Sequence, residues 1–501
     1  MNYKPQANTV LRCAYVFLLL PLICSVRANG IAVSNVTLTS QNASAGTTVI
    51  QFDLRWENSW RTSVGPANWD AAWIFAKYHV DGSPWRHARL AGRGGAVAGA
   101  TVEVQEDVGV LIYAAPQDYA GDPVYNNVQL RWDYAVDMVH IDGAIDLRVF
   151  AVEMVYIPEG PFYVGDGGRL MGQFREGGTN TEPYYLTGLG PIAVGDGTDQ
   201  LFYGQVNYGG KTYPSGDQQG PIPAEFPEGF GAFYCMKYEL TQEQWVDFFN
   251  TLPTSYRDQL DITAVNGKNS DGEISRNGVQ YTGGLATTTL PYVAMNFINE
   301  DQSLAYLDWA GLRPISELEY EKIGRGPLNP VLDEYAWGST AHADYFYTLI
   351  DTGEADERVA NLTKSTGHHN TSLTNPAGTA HYGPWRVGLF AHNAPQQLRE
   401  ETGGSYYGVM ELSGNLWERT VTVGSPQGRS YRAVHGDGTL SPDGRADVSG
   451  WPLGGDAACG LRGGAFVSGE DFFKLSTRFF AADNRNQSIH DHGGFRGIRS
   501  L

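Results

Sequence analysis

Two carboxylates, Glu411 and Glu418, bracket the short turn in ELSGNLWE (411–418). Gly414 inside it permits a backbone turn closed to other residues, and Trp417 is a natural core anchor. Two carboxylates with loop carbonyls between them make an oxygen cage suited to a hard cation. The alternative is a loop held by a carboxylate–backbone network without metal. A second constellation is IHDHGG (489–494), where His490 and His492 flank Asp491. With a third ligand such as His435 in VHGDG, these could hold a transition metal; the plain alternative is loop histidines near an edge. His368 and His369 are adjacent, so their side chains point apart. No nucleophile elbow, phosphate loop or zinc-helix motif is present in the sequence.

Sulfur is scarce. The chain has four cysteines in 501 residues, Cys13, Cys24, Cys235 and Cys459. The first two lie in or beside CAYVFLLLPLICSV (13–26), an apolar run behind Lys4 and Arg12 that reads as the core of an export signal. Val26 and Ala28 place small residues before a cut ahead of Asn29, so residues 1–28 are expected to leave. The run is too short to span a bilayer with ease, and no other stretch is apolar enough. The mature chain then keeps Cys235 and Cys459, which could form one disulfide or stay as thiols, and cannot build a four-thiolate zinc site. The formal net charge of −20 argues against nucleic-acid binding, which needs clustered Lys and Arg.

The elements that would position these groups divide the chain. Residues 30–155 alternate with period two, as in TVIQFDLRW (48–56), AAWIFAKYHV (71–80), VQLRWDYAV (128–136) and IDLRVFAVEMVYI (145–157). That pattern, punctuated by Gly, Asp and Pro, predicts an all-β sandwich of the immunoglobulin-like kind over 29–155. Its tryptophans, Trp56, Trp60, Trp69, Trp73 and Trp85, fit core and cross-strand packing better than a sugar site. Residues 158–230 lose periodicity and read as a long irregular excursion ordered by packing, with the insertion proper at about 166–230. Thr241 then caps a helix with Gln244 as its box partner, and Trp245, Phe248, Phe249 and Leu252 share one face. A second helix is predicted over 300–311. A third starts at Ser316 with Glu319 as partner. Beyond about residue 327 the pattern is loops and short strands, so the class is α+β.

The order of the pieces is more specific than any one of them. VYIPEGPFYVGDG (155–167), KYELTQEQW (237–245), AYLDWAGLRPISELEYEKIGRG (305–326), EYAWG (334–338), YYGVMELSGNLWERT (406–420), LRGGAF (461–466) and GGFRGIR (493–499) follow one another. In this arrangement residues 156–501 resemble the sulfatase-modifying-factor family, whose founding activity is formylglycine generation. The resemblance implies a C-type-lectin-like fold with many loops. It implies calcium held by Glu411 and Glu418 with the carbonyls of Gly414 and Leu416, and a second calcium loop at Asn361 and Leu362, whose acidic partner is not evident among 372–392. Lectin-type folds bring their terminal strands together, so Cys235 and Cys459 become a disulfide candidate. Active relatives hold copper between two thiolates after the RGG turn, because copper(I) needs soft ligands. Here Ser468 and Phe473 stand at those positions and no cysteine follows Cys459, so copper is not expected and the catalytic positions are vestigial. Lys474 and Arg478 read as structural ties.

The expectation is an exported, calcium-stabilised, non-catalytic protein, secreted or at the cell surface of a bacterium. It would bind a protein, peptide or glycan, or self-assemble, with no nucleic acid and no membrane span after leader removal. Two other classes stay open: an enzyme of the formylglycine-generating or metal-dependent oxidation type, and a structural subunit of an extracellular fibre or layer. Asn-x-Ser/Thr sequons at Asn35, Asn42, Asn361, Asn370 and Asn486 carry no weight without a known host.

Overall fold

The computed structural model describes residues 26–28, 30–80, 82–139, 145–343, 347–364, 382–392, 394, 398–452, 457–483 and 489–501. His368, His369, Asn370, Asn486 and the leader up to Ser25 lie outside the described residues. Of the leader, Val26–Ala28 pairs antiparallel with the start of Ile31–Asn42.

The strand Asp70–Val80 organises the molecule. Its sequence alternates small and large apolar residues on both faces, and nine consecutive residues are buried. Ala72, Ile74, Ala76 and Tyr78 share a cluster with Ile50, Phe52 and Leu54 of the strand Thr47–Arg55. Ala71, Trp73 and Phe75 turn the other way, into a cluster with Phe248 and Trp309. A strand buried on both faces loses the polar half of its alternation, so it lies in a central layer.

That layer is a sheet with the order Arg313–Pro314, Gly497–Ser500, Phe233–Met236, Ile145–Ile157, Asp70–Val80, Gly109–Ala114, Ala100–Gln105. On one side lies a five-stranded sheet ordered Val26–Ala28, Ile31–Asn42, Thr47–Arg55, Val124–Trp132, Leu90–Arg93. On the other lie the helices Gln242–Asn250 and Glu300–Trp309, whose Phe248 and Trp309 pack edge to face at 5.3 Å. Ile145–Ile157 pairs with Asp70–Val80 on one side and with Phe233–Met236 on the other. The expected boundary at 155/156 therefore falls inside a strand of a sheet that runs through both parts.

Strands dominate, with seven α-helices among the described residues, so the protein is α+β. Local signals account for the main helices. Thr241 with Gln244, and Ser316 with Glu319, form both predicted capping boxes, opening Gln242–Asn250 and Glu317–Arg325. Glu300–Trp309 carries a third box, Asn299 with Gln302. Each box satisfies backbone donors that a helix start leaves open. The excursion over 158–230 is ordered by short hairpins, Phe162–Val164 with Tyr184–Leu186 and Phe174–Glu176 with Leu201–Tyr203, and buries Phe162, Phe174 and Leu201 in the main core.

The disulfide candidate is corrected. Cys235 and Cys459 are buried thiols and are not bridged. Cys235 sits in the large sheet, in register with Val155 and Ile498. Cys459 begins a strand of a separate three-stranded sheet, opposite Val421. Burial pushes the Cys235 thiol well up, which leaves it inert while folded. Both thiols are therefore expected to react with a thiol reagent only after denaturation, and without added reductant; protection that persists in denaturant until a reductant is added would reinstate the bridge.

Candidate functional site

The stretch after Cys459–Arg462 was expected to carry the vestigial positions. Cys459–Arg462 pairs antiparallel with Trp417–Val421, which pairs in parallel with Gly493–Gly494. Gly463 and Gly464 then turn with φ of 84° and 72°, a conformation side chains rarely allow. Ser468 closes a tight loop: its Oγ accepts from the Ala465 amide at 2.9 Å, and its own amide donates to the Ala465 carbonyl at 2.7 Å. Phe473 is 1% exposed and packs with Tyr335 and Trp337. A Cβ on Gly464 would stand 2.4 Å from the Phe473 ring, so the ring lies directly against the turn. At the place where the resemblance puts two metal thiolates there is a hydroxyl bonded to its own loop and a phenyl ring filling the space.

Lys474 reaches Asp471 at 2.8 Å and Asp333 at 3.3 Å. Arg478 is fully buried and grips Glu317 through Nε at 2.7 Å and Nη2 at 3.0 Å. Both act as ties.

The turn at 411–418 is held by a network. Glu418 is fully buried, and Arg496 donates to both of its oxygens at 2.5 Å. Glu239 accepts from the Leu416 amide at 3.0 Å and from the Asn415 side chain. Burial and the neighbouring Glu418 push the Glu239 pKa well up. Glu411 has φ of 56° and accepts from the Gly388 amide at 2.8 Å. Its Oε2 is sealed from solvent with no partner among the described residues. The expected ligands thus divide. Glu411 offers a buried orphan oxygen, which fits a cation donor. Glu418 does not fit as drawn: both oxygens are committed to a guanidinium, and a divalent cation there would sit beside a fixed positive charge. At the other loop, Asn361 Oδ1 accepts from the Thr348 amide at 2.8 Å, and Leu362 packs with Tyr347 and Trp385. Among the described residues no three His, Cys, Asp or Glu side chains converge as metal ligands.

Burial raises the Glu411 pKa to about 7. A carboxyl raised from about 4.3 in the unfolded chain favours the fold fully below that value. Stability then falls as pH rises toward 7 and is flat beyond. Glu411→Gln is expected to remove this slope, gaining on the order of 3–4 kcal/mol at pH 8 relative to pH 4. Urea midpoints at the two pH values measure it; an unchanged slope would contradict the assignment.

The histidines do not converge. His490 stacks on His492 at 5.0 Å, and His492 Nδ1 meets Asp491 at 2.8 Å. His435 is elsewhere, accepting from the Ser500 amide at 2.9 Å and facing Glu106 at 3.2 Å. Burial and Arg499 hold its pKa down to about 2.

A cavity of about 390 Å³, marked by no sequence motif, lies between the N-terminal layer and the rest. Glu57, Asn58, Trp60 and Asn68 form one wall. Lys237, Tyr238, Arg386, His392, Tyr406 and Tyr407 face it. Asn68 ties the walls by donating to the Tyr407 carbonyl at 2.8 Å. Gly408, at φ 89°, leaves room for Trp60, whose ring would stand 2.8 Å from a Cβ there. Lys237 lies 4.9 Å over the Trp60 ring and pairs with Glu153 at 3.1 Å and Asp70 at 3.4 Å.

Residues 196–501 match the family model described as the sulfatase-modifying factor enzyme 1-like domain, more than half of the chain. The chain belongs to the sulfatase-modifying-factor family. The match begins inside the excursion, later than residue 156 where the motif series starts, and ends with the chain. It takes in the 411–418 turn, the RGG strand and the far wall of the cavity, while Trp60 and its neighbours lie outside it. No curated protein matches the chain.

Proposed function

We propose that this family member is a non-catalytic binding or surface-assembly protein, exported and acting outside the cell. One observation carries the reading: Ser468 and Phe473 stand where the family's copper thiolates are placed, and both are built into the packing. Thiol oxidation through copper(I) needs soft ligands, and no cysteine follows Cys459. The two facing sheets of the N-terminal part support a sandwich-type layer, and the loop-rich remainder supports the lectin-like variant of the family fold. An exported protein suits the apolar run at 13–26, and no helix among the described residues is long and apolar enough to cross a membrane. Calcium, carried over from the family, is proposed only at Glu411, with the carbonyls of Gly414 and Leu416; the orphan Oε2 of Glu411 is its support.

A sulfatase-type cysteine peptide incubated with the protein, copper and oxygen tests the reading. The expected mass spectrum shows unmodified cysteine. Conversion of the peptide to the aldehyde would overturn the proposal.

A further inference from the structure

Several buried arginines in this chain face carboxylates. Arg313 meets Glu319, Arg325 meets Glu334, Arg478 meets Glu317, Arg496 meets Glu418 and Arg276 meets Glu357. Arg386 does not. It is 4% exposed, and its Nη1 donates to the Val387 carbonyl at 3.2 Å. Its Nε is sealed from solvent with no acceptor among the described residues. The nearby Glu357 is engaged by Arg276, and none of the ion pairs among the described residues includes Arg386. A buried guanidinium with an unmet donor is costly, and burial holds its pKa below the usual arginine value.

Arg386 lines the cavity between the N-terminal layer and the family domain. The other cations there have protein partners: Lys237 pairs with Glu153 and Asp70, and Arg399 donates to the Ala336 carbonyl at 2.9 Å. Among the described residues Glu57 is the only carboxylate on the wall. Trp60, Tyr406, Tyr407 and Met410 supply apolar surface. The volume of about 390 Å³ suits a small organic molecule, and sites of this kind pair apolar walls with a few fixed polar groups.

We propose that this cavity binds a small organic monocarboxylate, its carboxylate taken by Arg386 and its apolar body by Trp60, Tyr406 and Tyr407. A single unmatched guanidinium suits one negative charge, and a planar fork suits a carboxylate. The N-terminal layer then has a task, because it supplies the wall that closes the site. The inference rests on the binding reading above, but the aldehyde assay does not touch it.

The test uses the full chain and two probes of equal shape, 3-phenylpropionate and its carboxamide, followed by calorimetry. The expected result is that the carboxylate binds at least about tenfold more tightly than the amide. Arg386→Gln should bring the two within about twofold of each other. Ala391→Phe, which fills the cavity from another lining position and leaves Arg386 in place, should abolish binding of both and keeps the test decisive should Arg386→Gln fail to fold. Equal binding of acid and amide, a preference that survives Arg386→Gln, undiminished binding in Ala391→Phe, or no binding of the acid at millimolar concentration would each overturn the proposal. Tighter binding of the amide would sink the carboxylate assignment while leaving a binding role in place.

Discussion

Replacing Glu317 by Leu is expected to remove about 3–5 kcal/mol of stability, the cost of leaving buried charge without its partner. Glu317 is fully buried at the start of the helix Glu317–Arg325. Its Oε2 takes Arg478 Nε at 2.7 Å and Arg462 Nη1 at 3.3 Å. Its Oε1 takes the Thr422 hydroxyl and the Val423 amide, each at 2.8 Å. Arg462 reaches on to Glu321 at 2.9 Å. One substitution therefore strands the Arg478 guanidinium in the core, takes one of two carboxylates from Arg462 and unties three segments of chain. Typical domains have only about 5–15 kcal/mol in total, so the variant should be marginal. Guanidinium melts of wild type and variant measure the loss; a change below about 1 kcal/mol would contradict the account. The pH dependence follows the same chemistry. Burial alone would raise the Glu317 pKa, but Arg478 and Arg462 outweigh it and hold the carboxyl below its usual range. This stability is present above the unfolded-state value, about 4.3, and is lost as pH falls through the lower folded value.

Phe473→Ala is the second large effect, at about 3–5 kcal/mol. The ring is sealed between Tyr335, Trp337 and the Gly464 turn, and the residue's carbonyl accepts from the Ser413 hydroxyl at 2.7 Å. Truncation leaves a void that backbone at a glycine turn cannot close. The same variant bears on function. It opens the space beside Ser468 but supplies no thiolate, so the destabilised protein should still leave a cysteine peptide unmodified. A loss under about 1 kcal/mol would show that the ring is not the plug described here.

Local signals were the most legible. Both predicted capping boxes form, because cap geometry depends on residues three apart. The face made by Trp245, Phe248 and Phe249 is buried as its spacing implied. The ties at Lys474 and Arg478 are also where residue type suggested. Spatial partition was not legible. Period-two patterning identified the strands, but AAWIFAKYHV does not reveal that both of its faces are covered, since the covering helix, Glu300–Trp309, lies more than two hundred residues away. The pairing of Glu418 with Arg496 is equally remote in sequence, so residue type and family likeness favoured a cation where the fold places an arginine. Arg386, in PWRVG, carries no local mark separating it from a surface arginine. Trp60 did carry a weak one, as an aromatic among turn residues, but its neighbours Trp56 and Trp73 went into the core.

Copper(I) retention is the most direct test of the central claim that the soft-metal site is gone from this family member. Protein reduced, loaded with copper(I) and dialysed against a copper(I) chelator should retain no stoichiometric metal, because a loop-bonded hydroxyl and a phenyl ring offer nothing for it to hold. One equivalent of copper that survives the chelator, and is lost in Ser468→Ala, would contradict that claim.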